Sequence, residues 1–550
     1  MRTPRSTPAL PVSTLPTRAL MAGAVVLSLS LVDAAALFAQ AQPAQPRPAS
    51  LVPPTLRAPK ALVLPAMVER TLPNGLKLVV VQQHELPLVD VALVIKSGSE
   101  SDPAGKKGLA TLTANLLDEG AGNRDALALA EEIAYLAIQI GTSAGFDRST
   151  VSLHTTRATL DSALALMADV ALRPTFADKE FSRIRSERMT ALMQEADRGP
   201  VMADRAFVAI VFGENHPYGN ATSGTPEAVE SITRDDVVNF WKTRYRPNNA
   251  TLVMVGDLTV AEAEQRALAA FGAWERGDVP APVAAVPQAA NGTTIYIVDK
   301  PKAAQTSFRI GAVGVARSTK DYYPLMVMNT ALGGSFTSRL NQNLRETKGY
   351  TYGAGSSFSM RREPGPFLAR AEVVAEKTDS ALVEFMKELN RIRTPLPATE
   401  LAKTKRYLQL GYAERFESTG DIAAQVAELA TFDLPLSTLG AYNRGVGAVT
   451  GADVQRVARQ YLIPRSWPSC SPVTVRPSSR RSRPRRSRPS RFAMRVAAGS
   501  SSHESAPDRG RDRGHGPAAL HPALTAARHA GRRRAAGHAG VHRVARATCA

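Results

Sequence analysis

The chain has 550 residues, room for two or three domains of ordinary size, and a formal charge of +19 that would suit a polyanion-binding surface. From Ile463 to the end, however, there are 19 Arg, no Lys and three acidic residues, a net +16, so residues 1–462 carry only +3. A basic tail on a near-neutral body is not a nucleic-acid-binding face, and none is expected.

Both cysteines, Cys470 and Cys549, also lie in the tail, which excludes disulfides and cysteine catalysis from the body. Only His84, His154 and His216 fall in the body, few candidates for an all-protein zinc site.

Arg2, Arg5 and Arg18 precede an apolar run, Ala19–Val32, and Ala39-Gln40-Ala41 offers small residues for cleavage. This reads as a signal peptide over 1–41, followed by a Pro-rich leader over 42–62. The protein is then periplasmic or otherwise exported. An uncleaved membrane anchor is the alternative, although the run is short for a span of about 20 residues. No later segment is apolar enough to cross a bilayer.

From Met67 the text is mixed α/β. Leu72-Pro73-Asn74-Gly75-Leu76 places an Asn-Gly turn between apolar runs, a hairpin signal. Strands are expected at Leu76–Val81, Val89–Ile95, Ser149–Thr155 and Ala250–Val255. Helical periodicity marks 108–119, Ala126–Leu136, Leu160–Leu172, Asp178–Asp197 and Arg234–Tyr245. These form an N-terminal lobe over 63–275. A Pro/Ala/Gly-rich linker occupies 276–292, and the pattern restarts in a second lobe over 293–462. There Thr294–Val298 and Thr306–Val313 read as strands, and Tyr322–Leu332, Asp379–Ile392 and Thr399–Glu414 as helices. The repetition indicates an internal duplication. The expected fold class is α+β, with two homologous lobes, each a mostly antiparallel sheet with helices packed on one face.

Several local sequences resemble the insulinase/pitrilysin family of zinc peptidases. They are Leu72–Leu76, Gly108-Leu109-Ala110, His216-Pro217-Tyr218-Gly219, Tyr245–Ala250 with Val253–Asp257, Gly333–Leu340, and Leu344-Arg345-Glu346 through Tyr352. The family's His-x-x-Glu-His motif sets two His four apart on one helical face to bind zinc, with the Glu activating a metal-bound water. Here the corresponding residues are Thr111, Ala114 and Asn115, and the third ligand, a Glu on a later helix, falls near Ala191 or Leu192. None of these can bind or use zinc, so the chain should bind no cofactor itself. With Leu109, Leu112, Leu116 and Leu117 as a buried stripe, the helix reads as ordinary core.

The resemblance also implies that an Arg and a Tyr seven apart on the second lobe bind substrate backbone near the scissile bond. Arg345 and Tyr352 have that spacing. The competing reading pairs Arg345 locally with Glu346 and leaves Tyr352 half-buried in a strand. Bacterial members of the family split the work between a zinc-bearing chain and a chain carrying the Arg/Tyr pair. The expectation is therefore a non-zinc subunit that closes a chamber over a homologous partner's zinc site and orients unfolded peptides there. The alternative is an inert scaffold of the kind found among respiratory-complex core subunits.

The resemblance stops at Leu462, and nothing after it reads as the strand that ends lobe one at Ala250–Val255. With third bases chosen freely, codons for Pro468–Arg476 read in a shifted frame give Ile-Val-Leu-Ala-Gly-Asp, the counterpart of that strand. A frameshift near Leu462 would make 463–550 a basic, disordered by-product and leave the second lobe truncated.

Overall fold

The computed structural model describes residues 62–281, 285 and 293–463, together with the backbone of 468–471 and 544–548. The expected signal peptide, the expected leader up to residue 61, the middle of the linker and most of the basic tail lie outside the described residues.

The first sheet is built from β1 (Met67–Thr71), β2 (Lys77–Gln82), β3 (Leu88–Ile95), β4 (Gln139–Ala144), β5 (Ser149–Thr156) and β6 (Ala250–Gly256), in the order β1-β2-β6-β3-β5-β4. Only β2 and β6 run parallel. The Asn-Gly turn joins β1 to β2, with Gly75 at φ +85°, a left-handed conformation that suits glycine. Asn74 donates to the carbonyls of Phe271 (2.7 Å) and Trp274 (3.1 Å), which pins the turn to the end of the lobe's last helix.

The second sheet repeats this plan with β7 (Thr294–Val298), β8 (Gln305–Val313), β9 (Thr351–Phe358), β10 (Pro366–Val374), β11 (Pro468–Ser471) and β12 (Val544–Thr548), in the order β12-β7-β11-β8-β10-β9. β11 runs parallel to β7 and antiparallel to β8, as β6 does between β2 and β3. The expected loss of the closing strand is thus corrected. Backbone pairing from Pro468 to Ser471 fills that slot, although with four residues against seven in β6. The sequence hid it because Pro-Ser-Cys-Ser has none of the β-branched or aromatic character of a central strand.

Helices from the same lobe cover one face of each sheet. In lobe one, Leu78, Val80, Val91, Leu93, Leu252 and Met254 face that core. Residues of opposite parity, Val79, Val81, Ala92, Val253 and Val255, face the other way. They meet Ile422, Ala423, Val426 and Leu429 of the Thr419–Thr431 helix, which belongs to lobe two.

The exchange is reciprocal. The Gly199–Phe212 helix of lobe one lies on the outer face of the second sheet, packing Phe207, Val211 and Phe212 toward Val313 and Leu368, and Met202 on Val298. Gly311 in β8 makes room for it. A Cβ there would stand 2.0 Å from the Phe367 carbonyl oxygen and 3.1 Å from the Phe207 ring. Each sheet therefore has helices on both faces, one of them from the other lobe, where one covered face was expected.

Polar ties reinforce the exchange. Arg309, buried in β8, donates Nε to Asp204 on the crossing helix, Nη1 to Glu372 (3.0 Å) and Nη2 to the Pro200 carbonyl (3.2 Å). Next to the same helix the His216–Gly219 segment also joins the lobes. Tyr218 Oη donates to Asp147, whose other oxygen accepts the Arg362 amide (3.2 Å). The Arg361 guanidinium sits 3.4 Å from the Phe146 ring centre and 4.5 Å from that of Tyr218. His216 accepts the Tyr218 amide at Nδ1 (3.0 Å) and is buried, a structural role.

Candidate functional site

Two places matter, one on each lobe. In lobe one the helix expected to carry the zinc-motif positions is short, Leu109–Ala114, and the expected extension to Glu119 becomes turns. The buried Asp102 carboxylate accepts the amides of Gly108 and Ala110, both at 2.8 Å, and so holds the helix start. Burial pushes the Asp102 carboxyl up to about 7 despite those two donors, and does the same to Glu100 beside it.

Leu109, Leu112, Leu116 and Leu117 are buried as the periodicity implied, and Ala114 is buried with them. Thr111 is half-buried and donates its hydroxyl to the Thr222 carbonyl at 2.7 Å. Asn115, also half-buried, ends the helix with its amide on the Thr111 carbonyl. On the Asp178–Ala196 helix alongside, Leu192 is buried in the same core as Leu109, and Ala191 is half-buried.

A zinc ion does not fit this donor set. One hydroxyl is committed to a backbone carbonyl, Ala114 and the Ala191/Leu192 position offer only carbon, and the Asn115 amide would stand without a second ligand. Among the described residues no group of three or more His, Cys, Asp or Glu is placed to hold a metal ion. Glu119, just beyond the helix, is paired with Arg183, and Asp118 is partly buried with its carboxyl pushed up by desolvation.

In lobe two Arg345 and Tyr352 come together. Arg345 stands on a π-helical turn, Gln342–Thr347, and Tyr352 on β9. The guanidinium carbon lies 5.1 Å from the centre of the Tyr352 ring. Tyr352, on the edge strand β9, is 88% exposed, not half-buried. Arg345 does meet Glu346, at 3.5 Å, but that contact is loose.

The pair lines an open cleft of about 680 Å³ with Phe336, Asn341, Arg309 and Arg370. Sequence reasoning missed Phe336 and Asn341. Phe336 ends the Gly333-Gly334-Ser335-Phe336 run, and its ring centre lies 4.5 Å from the Arg345 guanidinium, on which no residue spacing bears. Asn341 is buried and holds two segments, donating to the Phe336 carbonyl (2.7 Å) and accepting the Ala354 amide of β9 (3.2 Å).

Comparison with known proteins places this architecture. A family model described as Insulinase (Peptidase family M16) matches residues 77–225, and one described as Peptidase M16 inactive domain matches 231–408. The chain belongs to the insulinase (M16) peptidase family. An uncharacterized zinc protease of Mycobacterium leprae is 28% identical over 308 residues, which are 56% of this chain and 69% of that protein. The crystal structure of a peptidase M16 inactive domain from Pseudomonas fluorescens superposes with a TM-score of 0.70 at 27% identity, covering 74% of this chain and 98% of that one. A chain of complex III from Candida albicans shares the fold, with a TM-score of 0.65 at 16% identity over 74% and 96% of the two chains. The chain is thus a member of a family whose relatives include proteins named zinc proteases.

Proposed function

We propose that the chain is the non-zinc subunit of an exported M16-type metallopeptidase, closing a chamber over a zinc-bearing homologous partner and orienting unfolded peptides there. The observation that carries this reading is the contrast between the two sites. The zinc positions of lobe one are carbon, a committed hydroxyl and an amide, while lobe two presents Arg345 and Tyr352 side by side in an open cleft. A guanidinium can hold a peptide carbonyl or carboxylate in a fixed fork, and a phenol can donate to a developing oxyanion.

In this reading zinc enters with the partner, and this chain's residues bind and align the peptide backbone. The charged and apolar N-terminal run supports export. Among the described residues no helix is long and apolar enough to cross a membrane.

The test is to purify the chain alone and together with an M16 homologue that carries His-x-x-Glu-His, and to assay cleavage of unfolded casein. Cleavage should need both chains and should drop with Arg345→Ala or Tyr352→Phe. Zinc-dependent cleavage by this chain alone overturns the reading. The likeness to complex III favours a second reading, an inert scaffold, which predicts a stable complex whose activity ignores both substitutions.

We further propose that a frameshift near codon 462 produced residues 463–550. β11 stands between two strands, yet opens on Pro468, which has no amide to donate, and continues Ser-Cys-Ser, whereas β6 in the equivalent slot is Ala-Thr-Leu-Val-Met-Val-Gly. The gene sequence tests this. A single-base indel should restore an apolar strand there, and the absence of any such indel overturns the proposal.

A further inference from the structure

Arg345 is unusually free for a residue at the edge of a packed lobe. Among the described residues its guanidinium donates no hydrogen bond, and its one ion pair, with Glu346, is 3.5 Å long. A long side chain in that state would sample many rotamers. Two rings oppose this. Phe336 and Tyr352 lie 4.5 Å and 5.1 Å from the guanidinium carbon, so the cation has an aromatic contact on both.

Phe336 is 63% exposed, so its ring does not serve the core. Its backbone, by contrast, is fixed by a buried group. Asn341 grips the Phe336 carbonyl and the Ala354 amide together, tying the segment that carries Phe336 to the strand that carries Tyr352. Asn329, at the end of the Tyr322–Asn329 helix, repeats the device, exchanging hydrogen bonds with Ser356 at 3.1 and 2.8 Å. The glycines at 333 and 334 allow the close approach, since a Cβ on Gly333 would fall 2.3 Å from the Ser356 amide.

We propose that Phe336 is a positioning residue. Its ring, with that of Tyr352, holds the Arg345 guanidinium in a stack on the wall of the cleft, where the loose contact with Glu346 is its one ion pair among the described residues. The inference rests on the assignment of Arg345 to peptide binding, and it adds the residue that makes the arginine a fixed fork.

Three variants of the full chain, Phe336→Leu, Phe336→Tyr and Arg345→Ala, test it in two measurements. In NMR with isotope-labelled arginine, Arg345→Ala identifies the Arg345 Nε–H resonance. Phe336→Leu should shift that resonance toward the random-coil position by removing the ring current, and Phe336→Tyr should leave it in place. In casein cleavage by the chain assembled with its zinc-bearing homologue, Phe336→Leu should raise KM roughly two- to fivefold, the range of one cation–π contact at a partly exposed site, with kcat little changed. Phe336→Tyr should restore the wild-type KM.

An Arg345 resonance indifferent to Phe336→Leu overturns the stack and leaves the proposed function standing. An unchanged KM for Phe336→Leu alongside a raised KM for Arg345→Ala overturns the positioning role alone. If Arg345→Ala itself leaves cleavage untouched, the proposed function falls and the inference with it.

Discussion

The exchange of helices between lobes makes a prediction that a pair of independent lobes would not. Phe207 belongs to lobe one in sequence, but its ring is buried on the second sheet, over Gly311 and among Val211, Phe212 and Tyr218. Phe207→Ala removes a fully buried ring from a site whose floor is backbone and cannot collapse into the space. Such truncations cost about 3–5 kcal/mol, and the rigid floor argues for the upper half of that range. Because the contact joins the lobes, the loss should appear in both. Urea unfolding followed by hydrogen exchange should show β8 and β10 losing protection together with β2 and β6, in one transition moved to lower urea by that free energy. Phe207→Leu should recover more than half of it. A loss below about 1 kcal/mol, or a lobe-two sheet whose protection is unchanged, would refute the claim that the crossing helix is part of the second lobe's stability.

Two further outcomes follow from buried groups. Asp102 and Glu100 are pushed up to about 7 by burial, so the folded protein keeps their protons to higher pH than the unfolded chain does. Their contribution to stability is then fully present below about pH 4 and falls as pH rises to about 7, levelling beyond it. For Asp102 the upper bound on that fall is about 4 kcal/mol, since each tenfold change in proton affinity is worth about 1.4 kcal/mol. Asp102→Asn should remove roughly half of that slope, read from urea midpoints at several pH values, and an unchanged slope would sink the assignment. Gly311→Ala should destabilise by about 2 kcal/mol or more, because the new methyl meets the Phe367 carbonyl and the Phe207 ring, and a neutral result in thermal denaturation would show that the helix does not sit so close.

Much of the fold was legible because its signals are local. The Asn-Gly turn, the Ala250–Val255 apolar strand and the Asp178–Asp197 helix are each set by spacing within a few residues, and the structure places them within a residue or two. The helix exchange was not legible, since a fully apolar strand such as Leu252-Val253-Met254-Val255 says that both faces are covered but not by what. At the candidate site the seven-residue interval of Arg345 and Tyr352 was visible in the text. The ring of Phe336 was not, because its contact depends on how Asn341 folds one segment against another.

On the proposed reading, the two sites also explain how a chain can lose one chemistry and keep the other without cost to folding. On the Leu109–Ala114 helix the apolar stripe enters the core while Thr111 and Asn115 stand half-buried at its margin. Replacing ligands at such positions leaves the stripe intact, so the fold does not police them. Arg345 and Tyr352 are in the same situation. Neither fills the core, and Arg345 makes only a loose ion pair and two partly exposed ring contacts, together worth about 1 kcal/mol. Folding therefore gives no reason to retain them. Arg345→Ala should leave the urea midpoint of the isolated chain within about 1 kcal/mol of wild type while lowering cleavage by the assembled pair. Destabilisation beyond about 2 kcal/mol would mean that Arg345 is kept for the lobe's own stability, and the division of labour between two chains would lose its main support.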